Sequence, residues 1–366
     1  MAKSWISLAL NLFLLGGISL RLAARDVQSN PPLADLQGAL ELNRRGDYGD
    51  ALQRYQGFLS RGDVRLTPQL RAYVLDQMAD AENGLGNYAQ GEQKAREALR
   101  LLAAAKQENT STYARAQGVL AQAMAGQGNY REARKMAEQA VSLGKETLGT
   151  HAPSFASLLT DLADALEDMG EHGRALKLFQ QAAHTFEAAG QDYRVELGNA
   201  YYNLAGAFLD EGNAQKAIEF GALALAAWKP VLPARSLLVV HALSVEMLGY
   251  EKLKAYAQAE ALVPEVVNTP DSQIGPHPQD RVILLVMAAS VYTAEKKYER
   301  AAPLLKEAVE LSEHSLPRGN PASGAALASY SQVLAAMGRT EEASRVRAES
   351  DVLLVFPTQS KLPEGH

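Results

Sequence analysis

The 366-residue sequence contains no cysteine and only two tryptophans, and all aromatic residues together make up 7% of it. The absence of cysteine excludes disulfide cross-links, thiolate zinc sites and cysteine nucleophiles. An excess of basic residues is also missing, since the formal net charge is −6, and this argues against general nucleic-acid binding. What the chain does have is 47% apolar residues, which is enough to bury a large core.

The first 25 residues form a separate segment with no acidic residue and three basic ones, Lys3, Arg21 and Arg25. The predominantly apolar run at 5–20, after a short basic start, is typical of a secretory signal peptide. Leu22 is large for a cleavage site, so an uncleaved membrane anchor of about 20 residues and a mitochondrial-type presequence stay open as alternatives. All three place the rest of the chain outside the cytosol, either periplasmic or secreted, or tethered to the membrane by its N-terminus.

A four-residue pattern recurs along the remaining chain with a period of 42 residues. The segment Leu85–Tyr88 is followed 42 residues later by the similar segment Gln127–Tyr130, and the same spacing continues to Met337–Thr340. One further segment, Arg45–Tyr48, lies 40 residues before Leu85–Tyr88. The sequence therefore contains eight repeats. Three columns of small residues keep the same register, with Ala121, Ala133 and Ala140 as their members in the third repeat.

The recurring pattern predicts a turn between two antiparallel helices. The glycine supplies a left-handed residue that ends the first helix. The following Asn or Asp is expected to cap the second helix, and Asn87 with Gln90 has capping-box spacing. The tyrosine after it is expected to pack back on the first helix. The alanines let two helix axes approach closely, and the stripe from Phe155 to Leu166 has helical spacing. These features predict an all-α fold.

These residues resemble tetratricopeptide repeats (TPR), and the 42-residue unit resembles the longer repeats of kinesin light chains. The resemblance implies an α-solenoid, a right-handed superhelix of about eight TPR-like helix pairs, with a concave groove lined by the first helices. It divides the chain into an export segment at 1–25, a solenoid at 26–356 and a flexible tail at 357–366. A HEAT-type array has an overlapping period and is the alternative fold.

The sixth and seventh repeats depart from the pattern. Lys254 and Lys296 replace the turn glycine, while Pro264 and Pro303 fall inside predicted second helices, where proline removes a backbone hydrogen bond. Glu246 occupies a position that is leucine in other repeats. These changes indicate local kinks, or else a reshaped binding surface.

The groove-facing positions that the resemblance implies lie 10, 9, 6, 3 and 2 residues before the turn glycine. They give an acidic and amide-rich set of peptide-binding candidates: Asp76, Gln77, Asp80, Asn83, Gln122, Asp161, Asp164, Asp168, Tyr202 and Asn203. An acidic concave surface favours basic or polar segments of a protein or peptide partner. Acidic residues are also ordinary on a solvated helix face, so that interpretation stays open.

No catalytic, cofactor or metal motif is found in the sequence, since none of the seven histidines belongs to an HExxH pattern. The favoured function is an exported or membrane-tethered, non-enzymatic scaffold, with no nucleic acid as partner and membrane contact only through residues 1–25. The alternative is an enzyme or carbohydrate-handling protein with a site near residues 240–305, motivated by Glu246, the loop around His277 and the two prolines. The oligomeric state is left open.

Overall fold

The computed structural model describes sixteen α-helices and no strand within residues 31–62, 66–234, 236–270, 278–316 and 320–355. The predicted all-α class is therefore confirmed. The export segment at 1–25 and the tail at 357–366 lie outside the described residues. Within the described ranges, none of the helices combines the length and apolar character that a bilayer span requires.

The helices form eight consecutive pairs, as the 42-residue register predicts. The first helices of the pairs are α1 (Pro31–Arg45), α3 (Pro68–Gly84), α5 (Ser111–Gly126), α7 (Pro153–Asp168), α9 (Arg194–Asp210), α11 (Leu237–Lys252), α13 (Pro278–Ala294) and α15 (Pro321–Ala336). The second helices are α2 (Tyr48–Leu59), α4 (Tyr88–Ala104), α6 (Tyr130–Thr147), α8 (His172–Ala189), α10 (Ala214–Trp228), α12 (Tyr256–Val267), α14 (Tyr298–Ser315) and α16 (Thr340–Val355).

The turn inside each pair has a left-handed residue, and this confirms the role predicted for the turn glycine. Gly86 has φ +73° and Gly128 has φ +81°. The amide of the next residue then reaches back over the turn, as when Asn87 N donates to Glu82 O at 2.8 Å. This is the hydrogen-bond pattern of a Schellman motif, which satisfies carbonyls at the end of the first helix.

The predicted side-chain caps after the glycine are mostly absent. Neither Asn87 nor Asn129 accepts a capping hydrogen bond, and the Asn87 amide instead donates to Glu82 Oε2 at 3.0 Å. At Asn87 the backbone has φ −82° and ψ 51° rather than the extended conformation of a usual cap residue. Asn213 does cap its helix, because its Oδ1 accepts from Lys216 N at 3.2 Å.

The small-residue columns are confirmed as points of close helix contact. Ala121, Ala133 and Ala140 are fully buried, as are their counterparts Ala163, Ala175 and Ala182 in the fourth repeat. A methyl group is the smallest ridge a side chain can offer, so these positions let neighbouring helices approach. The apolar stripe predicted for the fourth repeat is buried as well, from Phe155 at 3% exposure to Leu166 at 0%.

The turn tyrosines Tyr48 and Tyr88 pack forward on the next repeat, whereas the sequence analysis placed the turn tyrosine on its own first helix. A Cβ added at Gly84 would lie 2.4 Å from the ring of Tyr48, and one added at Gly126 would lie 2.3 Å from that of Tyr88. Each glycine is the last residue of the next repeat's first helix. The absence of a side chain there makes room for the ring of the preceding repeat.

The described chain divides into two compact units. The N-terminal unit comprises residues up to 211 together with 226–232, and the C-terminal unit comprises 212–225 and the residues from 233 onward. The C-terminal unit has one large apolar core that runs from Val240 to Ala343. In the N-terminal unit, several smaller clusters follow one another between successive helices, beginning with Leu36, Tyr55 and Phe58.

The irregular repeats keep the same backbone in spite of their sequence changes. Lys254 has φ +57° and Lys296 has φ +60°, so both lysines hold the left-handed conformation of the glycine they replace. Helix α14 continues through Pro303, whereas α12 ends three residues after Pro264. Glu246 fits into its leucine position beside Gly221, where an added Cβ would lie 2.9 Å from Glu246 Cγ.

Replacing Lys254 with glycine is expected to stabilise the protein. A residue with a side chain costs about 1–2 kcal/mol in the left-handed region, and glycine avoids this cost. Glycine also has more conformational freedom in the unfolded chain, which offsets part of the gain in stability. We expect Lys254→Gly to raise the free energy of unfolding by about 0.5–1 kcal/mol in urea titrations. The matched control is Ala261→Gly at an exposed site inside α12, which should lower it by about 1 kcal/mol. Destabilisation by Lys254→Gly would contradict the turn conformation.

Candidate functional site

Polar side chains connect the first helices of the N-terminal unit along one face. These helices lie against one another in sequence order, α1 on α3, α3 on α5, α5 on α7 and α7 on α9. Four aspartates on this face, which we call the carboxylate row, contact a neighbouring first helix, three by accepting a hydrogen bond from a side-chain amide and one through an ion pair with a guanidinium group. The row consists of Asp76, Asp80, Asp161 and Asp164, and its partners are Arg115, Asn43, Gln122 and Asn203, respectively.

The contacts of the row repeat at nearly constant sequence separation. Asn43 Nδ2 donates to Asp80 Oδ2 at 2.8 Å, and Gln122 Nε2 donates to Asp161 Oδ1 at 2.9 Å. Asn203 Nδ2 donates to Asp164 Oδ1 at 3.3 Å. Each pair is 37 to 39 residues apart, close to one repeat. The repeat itself therefore brings the predicted residues Asp80, Gln122, Asp161, Asp164 and Asn203 together on one face.

Asp76 is the most buried member of the row. Its side chain is 0% exposed, and its Oδ2 lies 2.7 Å from Arg115 Nε and 3.4 Å from Gln77 Nε2. Its other oxygen, Oδ1, has no hydrogen-bond partner among the described residues. Burial raises the pKa of this carboxyl to about 6, even though Arg115 acts in the opposite direction.

A buried tyrosine lies in the electrostatic field of the same aspartates. Tyr55, on α2, is 0% exposed, and no described residue makes a hydrogen bond with its hydroxyl. Burial is the main reason that its pKa is raised, and the charges of Arg115, Asp80 and Asp76 all act on it. Tyr73 faces the same three charges, and burial raises its pKa to about 12. The hydroxyl of Tyr55 is therefore neutral, and it is buried without a hydrogen-bond partner among the described residues.

Asp161 is half-buried and surrounded by like charge. A Cβ added at Gly118 would lie 2.3 Å from Asp161 Oδ2, so the glycine in α5 creates the space for this carboxylate. Burial raises the pKa of Asp161 well above its usual value, and Asp164, Asp80 and Asp76 raise it further while Arg115 lowers it. The site thus opposes the ionised form of Asp161 unless additional positive charge is supplied.

The remaining predicted groove residues have other surroundings. Asn83 and Gln77 are buried at 8% and 3% exposure. Asn83 Nδ2 donates to Val119 O at 2.9 Å, and its Oδ1 fills the space left by Gly91, which replaces the alanine of other repeats. Asn83 therefore joins helices rather than lining a surface. Tyr202 is half-buried with its ring 6.2 Å from that of Trp228, and Asp168 is the last residue of α7.

A second polar contact joins the first and fifth repeats within the N-terminal unit. Arg44 Nε and Nη2 donate to the two carboxylate oxygens of Glu196 at 2.9 and 3.1 Å, and Nη2 also donates to Asp192 O at 2.7 Å. We call Arg44 and Glu196 the closing pair. Arg44 lies in the last turn of α1 and Glu196 in the first turn of α9, where each charge also suits the helix dipole.

The sequence analysis did not identify Arg115, Asn43 or the closing pair. Arg115 follows Asp76 by 39 residues, so a search for a cation about one repeat from each groove acid would have found it. The closing pair spans 152 residues, and no local pattern in the sequence connects its two members.

In the alternative site near residues 240–305, a histidine lies near an aspartate, and both have shifted pKa values. His241 Nε2 lies 3.8 Å from Asp280 Oδ1. Burial lowers the pKa of His241 to about 4 and raises that of Asp280 to about 6, so the histidine is neutral at neutral pH. Residues 271–277, including His277, lie outside the described part. In the described part, no cluster of three or more acidic, histidine or cysteine side chains could hold a metal ion.

Comparison with family models gives three matches, all described as tetratricopeptide repeat. They cover residues 114–153, 154–229 and 283–315. The matches thus include the repeats that carry Arg115, Asp161, Asp164 and Asn203. A search of the curated proteins found no matching sequence.

Solved structures share the fold at low sequence identity. NprR in complex with its cognate peptide NprX is 14% identical, with 90% of each chain covered and a TM-score of 0.58. A Rap protein complexed with Competence and Sporulation Factor is 14% identical, with 86% of this chain and 99% of that chain covered and a TM-score of 0.52. The APC/C hetero-tetramer Cut9-Hcn1 matches at 15% identity over 92% of this chain and 57% of that chain, with a TM-score of 0.65.

The closing pair is expected to stabilise the N-terminal unit through a coupling that a double-mutant cycle can measure. Because the contact is bidentate and partly buried, Arg44→Ala and Glu196→Ala should show a coupling of about 1 kcal/mol in urea unfolding. The matched control is Lys306 with Glu310, an exposed pair within α14, whose coupling should stay within about 0.5 kcal/mol. Equal couplings in the two cycles would show that the first and fifth repeats do not meet through Arg44.

Replacing Asp161 with asparagine is expected to change how stability depends on pH. An aspartate in an unfolded chain titrates near pH 4, whereas Asp161 in the folded protein titrates higher. Its ionisation therefore favours unfolding, and wild-type stability falls relative to Asp161→Asn as the pH rises above about 4. Urea unfolding at pH 4 and pH 8 should show the variant gaining stability over wild type only at the higher pH. Asp50→Asn, at an exposed site on α2, is the control. A constant difference across this range would contradict the raised pKa.

Proposed function

The chain is a tetratricopeptide-repeat protein, and we propose that it is a non-enzymatic scaffold that binds an extended segment of another protein. The proposed surface is the face formed by the first helices of the N-terminal unit. The observation that carries the proposal is the carboxylate row, which extends over α3 and α7 and is partly open to solvent.

The four carboxylates of the row all lie in the N-terminal unit, whereas the sixth repeat carries charge at other positions of this face, Glu251 and Lys252. At the corresponding positions of the sixth and seventh repeats the chain has Ser244, Leu248, Val286 and Ser290, all uncharged. A face that served only for helix packing would have no need of carboxylates, because burying charge is costly. Retention of four carboxylates beside Tyr202 and Asn203 supports a polar partner on this face.

The structural relatives support a peptide-binding scaffold. NprR and the Rap protein were each solved with a peptide or signalling factor bound, on a fold that this chain shares. Their bound ligands belong to those proteins. For this chain we propose the broader property, recognition of a protein or peptide segment by the repeats.

We also propose that residues 1–25 direct the protein out of the cytosol, as a cleaved signal or as an uncleaved membrane anchor. The basic start and apolar run support this proposal. N-terminal sequencing of the protein from fractionated cells tests it. A new N-terminus near residue 25 supports cleavage, and an intact N-terminus in the membrane fraction supports the anchor. An intact N-terminus in the cytosolic fraction contradicts export.

The binding proposal is tested with a phage-displayed library of linear twelve-residue peptides panned against the purified chain. Recovered peptides should lose at least tenfold in affinity for the variant with Asp161→Lys and Asp164→Lys, because two charges on the proposed face are reversed. The matched control carries Glu132→Lys and Glu146→Lys, the same change at exposed sites on α6.

Folding of both variants is checked by circular dichroism. If the lysine variant unfolds, the same comparison is made with Asp161→Asn and Asp164→Asn. Recovery of no peptide, or equal losses in the test and control variants, would remove the proposed surface.

A further inference from the structure

The carboxylate row has the features of a site for a single positively charged side chain. We infer that the row receives one lysine ammonium or arginine guanidinium group of the bound segment, and that Asp161 is its principal ligand. The inference rests on the proposed function and adds the chemistry of one residue in the partner.

The first observation is the local imbalance of charge around Asp161. Its own helix contributes Asp164, α3 contributes Asp80 and Asp76, and α5 contributes Arg115 as the cation that acts on it. Gln122, which bonds to its Oδ1, is a neutral donor. Burial and three like charges together outweigh the guanidinium of Arg115, since the pKa of Asp161 is raised. A second cation would relieve this repulsion and favour the ionised carboxylate.

The second observation is a pair of buried oxygens with unused hydrogen-bonding capacity. Tyr55 Oη and Asp76 Oδ1 both belong to fully buried residues, and neither has a hydrogen-bond partner in the described part of the chain. The electrostatic influence of Asp76, Asp80 and Arg115 on Tyr55 shows that its hydroxyl belongs to this cluster. Arg115 Nε, beside Asp76, likewise makes no well-aligned hydrogen bond. A buried acceptor without a donor is costly, so a group that supplies donors to Tyr55 Oη and Asp76 Oδ1 is stabilised here.

The donor count of the proposed ligand suits these acceptors. An ammonium has three N–H donors and a guanidinium has five, and neither has an acceptor that would oppose a carboxylate. The side chains of Asp80 and Arg115 are 36% and 40% exposed, so the row is reachable from solvent at this point. Among the described residues no group of three or more side chains could hold a metal ion, which favours an organic cation.

The two polar residues beside the row suit a polypeptide as carrier of the cation. Asn203 bonds to Asp164, and Tyr202 precedes it on α9. An asparagine amide can both donate to and accept from a peptide backbone, and a tyrosine ring offers apolar area with a polar end. A free polyamine has no backbone for Asn203 to recognise.

The test uses synthetic versions of a peptide recovered from the twelve-residue library. Each arginine is replaced by citrulline, which keeps the shape and removes the charge, and each lysine by glutamine. We expect one such replacement to weaken binding to the wild-type chain at least tenfold. Against Asp161→Asn the same replacement should cost less than threefold, because the partner of that charge is already gone. Asp50→Asn should behave as wild type.

Calorimetry in two buffers of different ionisation enthalpy gives an independent readout. Binding of the cation should favour the ionised form of Asp161, so in a pH series from 4 to 8 protons should be released, and the measured heat should depend on the buffer, wherever Asp161 is protonated in the free chain. Asp161→Asn should release fewer protons than wild type. A merely structural role of Asp161 would leave proton release unchanged.

The outcomes separate this inference from the proposed function. Peptides that bind the proposed face yet tolerate every replacement within twofold overturn the inference and leave the scaffold function standing. Failure to recover any peptide overturns both. Binding of spermidine that is tighter than that of every peptide and sensitive to Asp161→Asn assigns the row to a free polyamine and overturns the polypeptide ligand.

Discussion

The left-handed residue at the turn of each helix pair is the constraint on which this protein depends. It ends the first helix, sets the angle at which the second departs and so fixes where every later position of the repeat lies. Lys254 and Lys296 show how strict the constraint is, since both adopt a conformation that costs free energy for any residue with a side chain. Helix register follows from the turn, and the small residues of the columns, such as Ala121, Ala133 and Ala140, are then buried between helices.

The carboxylate row is a consequence of that register. Positions separated by about one repeat fall side by side on adjacent first helices, so each donor meets its acceptor with no special local geometry. Regular repetition alone would place such contacts along all eight repeats. The carboxylates instead occur in α3 and α7 and are absent from the equivalent positions of the sixth and seventh repeats. The backbone thus repeats, while the chemistry of its face does not.

Features that depend on local or next-neighbour geometry could be predicted from the sequence. The turn glycines, the buried alanines such as Ala133 and the apolar stripe of the fourth repeat belong to this class, because each obeys a fixed spacing. The caps at Asn87 and Asn129 were predicted wrongly, since the tight turn holds these residues outside the extended conformation that a cap needs. The contact between Arg44 and Glu196 depends on the cumulative placement of four repeats, which no pairwise spacing encodes.

In the candidate site too, some features follow from sequence spacing and others depend on contacts that the sequence does not reveal. Asp80, Asp161, Asp164 and Asn203 could be assigned to one face from their offsets, but the position of Asn83 between helices depends on the missing methyl of Gly91. Arg115 lies outside the offsets used for the groove, although it is the cation that pairs with Asp76. Electrostatic effects such as the raised pKa of Asp161 need distances that a sequence does not contain.

Tyr48 packs on Gly84 and Tyr88 packs on Gly126, so in both cases the ring of one repeat contacts the repeat that follows it in the chain. Tyr48 and Tyr88 are each covered by a glycine of the following repeat, whereas the equivalent position is Asp168, Asp210 and Lys252 in the fourth to sixth repeats. During synthesis, the rings of Tyr48 and Tyr88 therefore stay uncovered until the following repeat has been made. The eighth repeat carries Thr340 at this position, so the last described repeat leaves no ring to be covered. Truncation after the first or second repeat would expose the ring of Tyr48 or Tyr88 and leave an uncovered apolar surface at the end of the array.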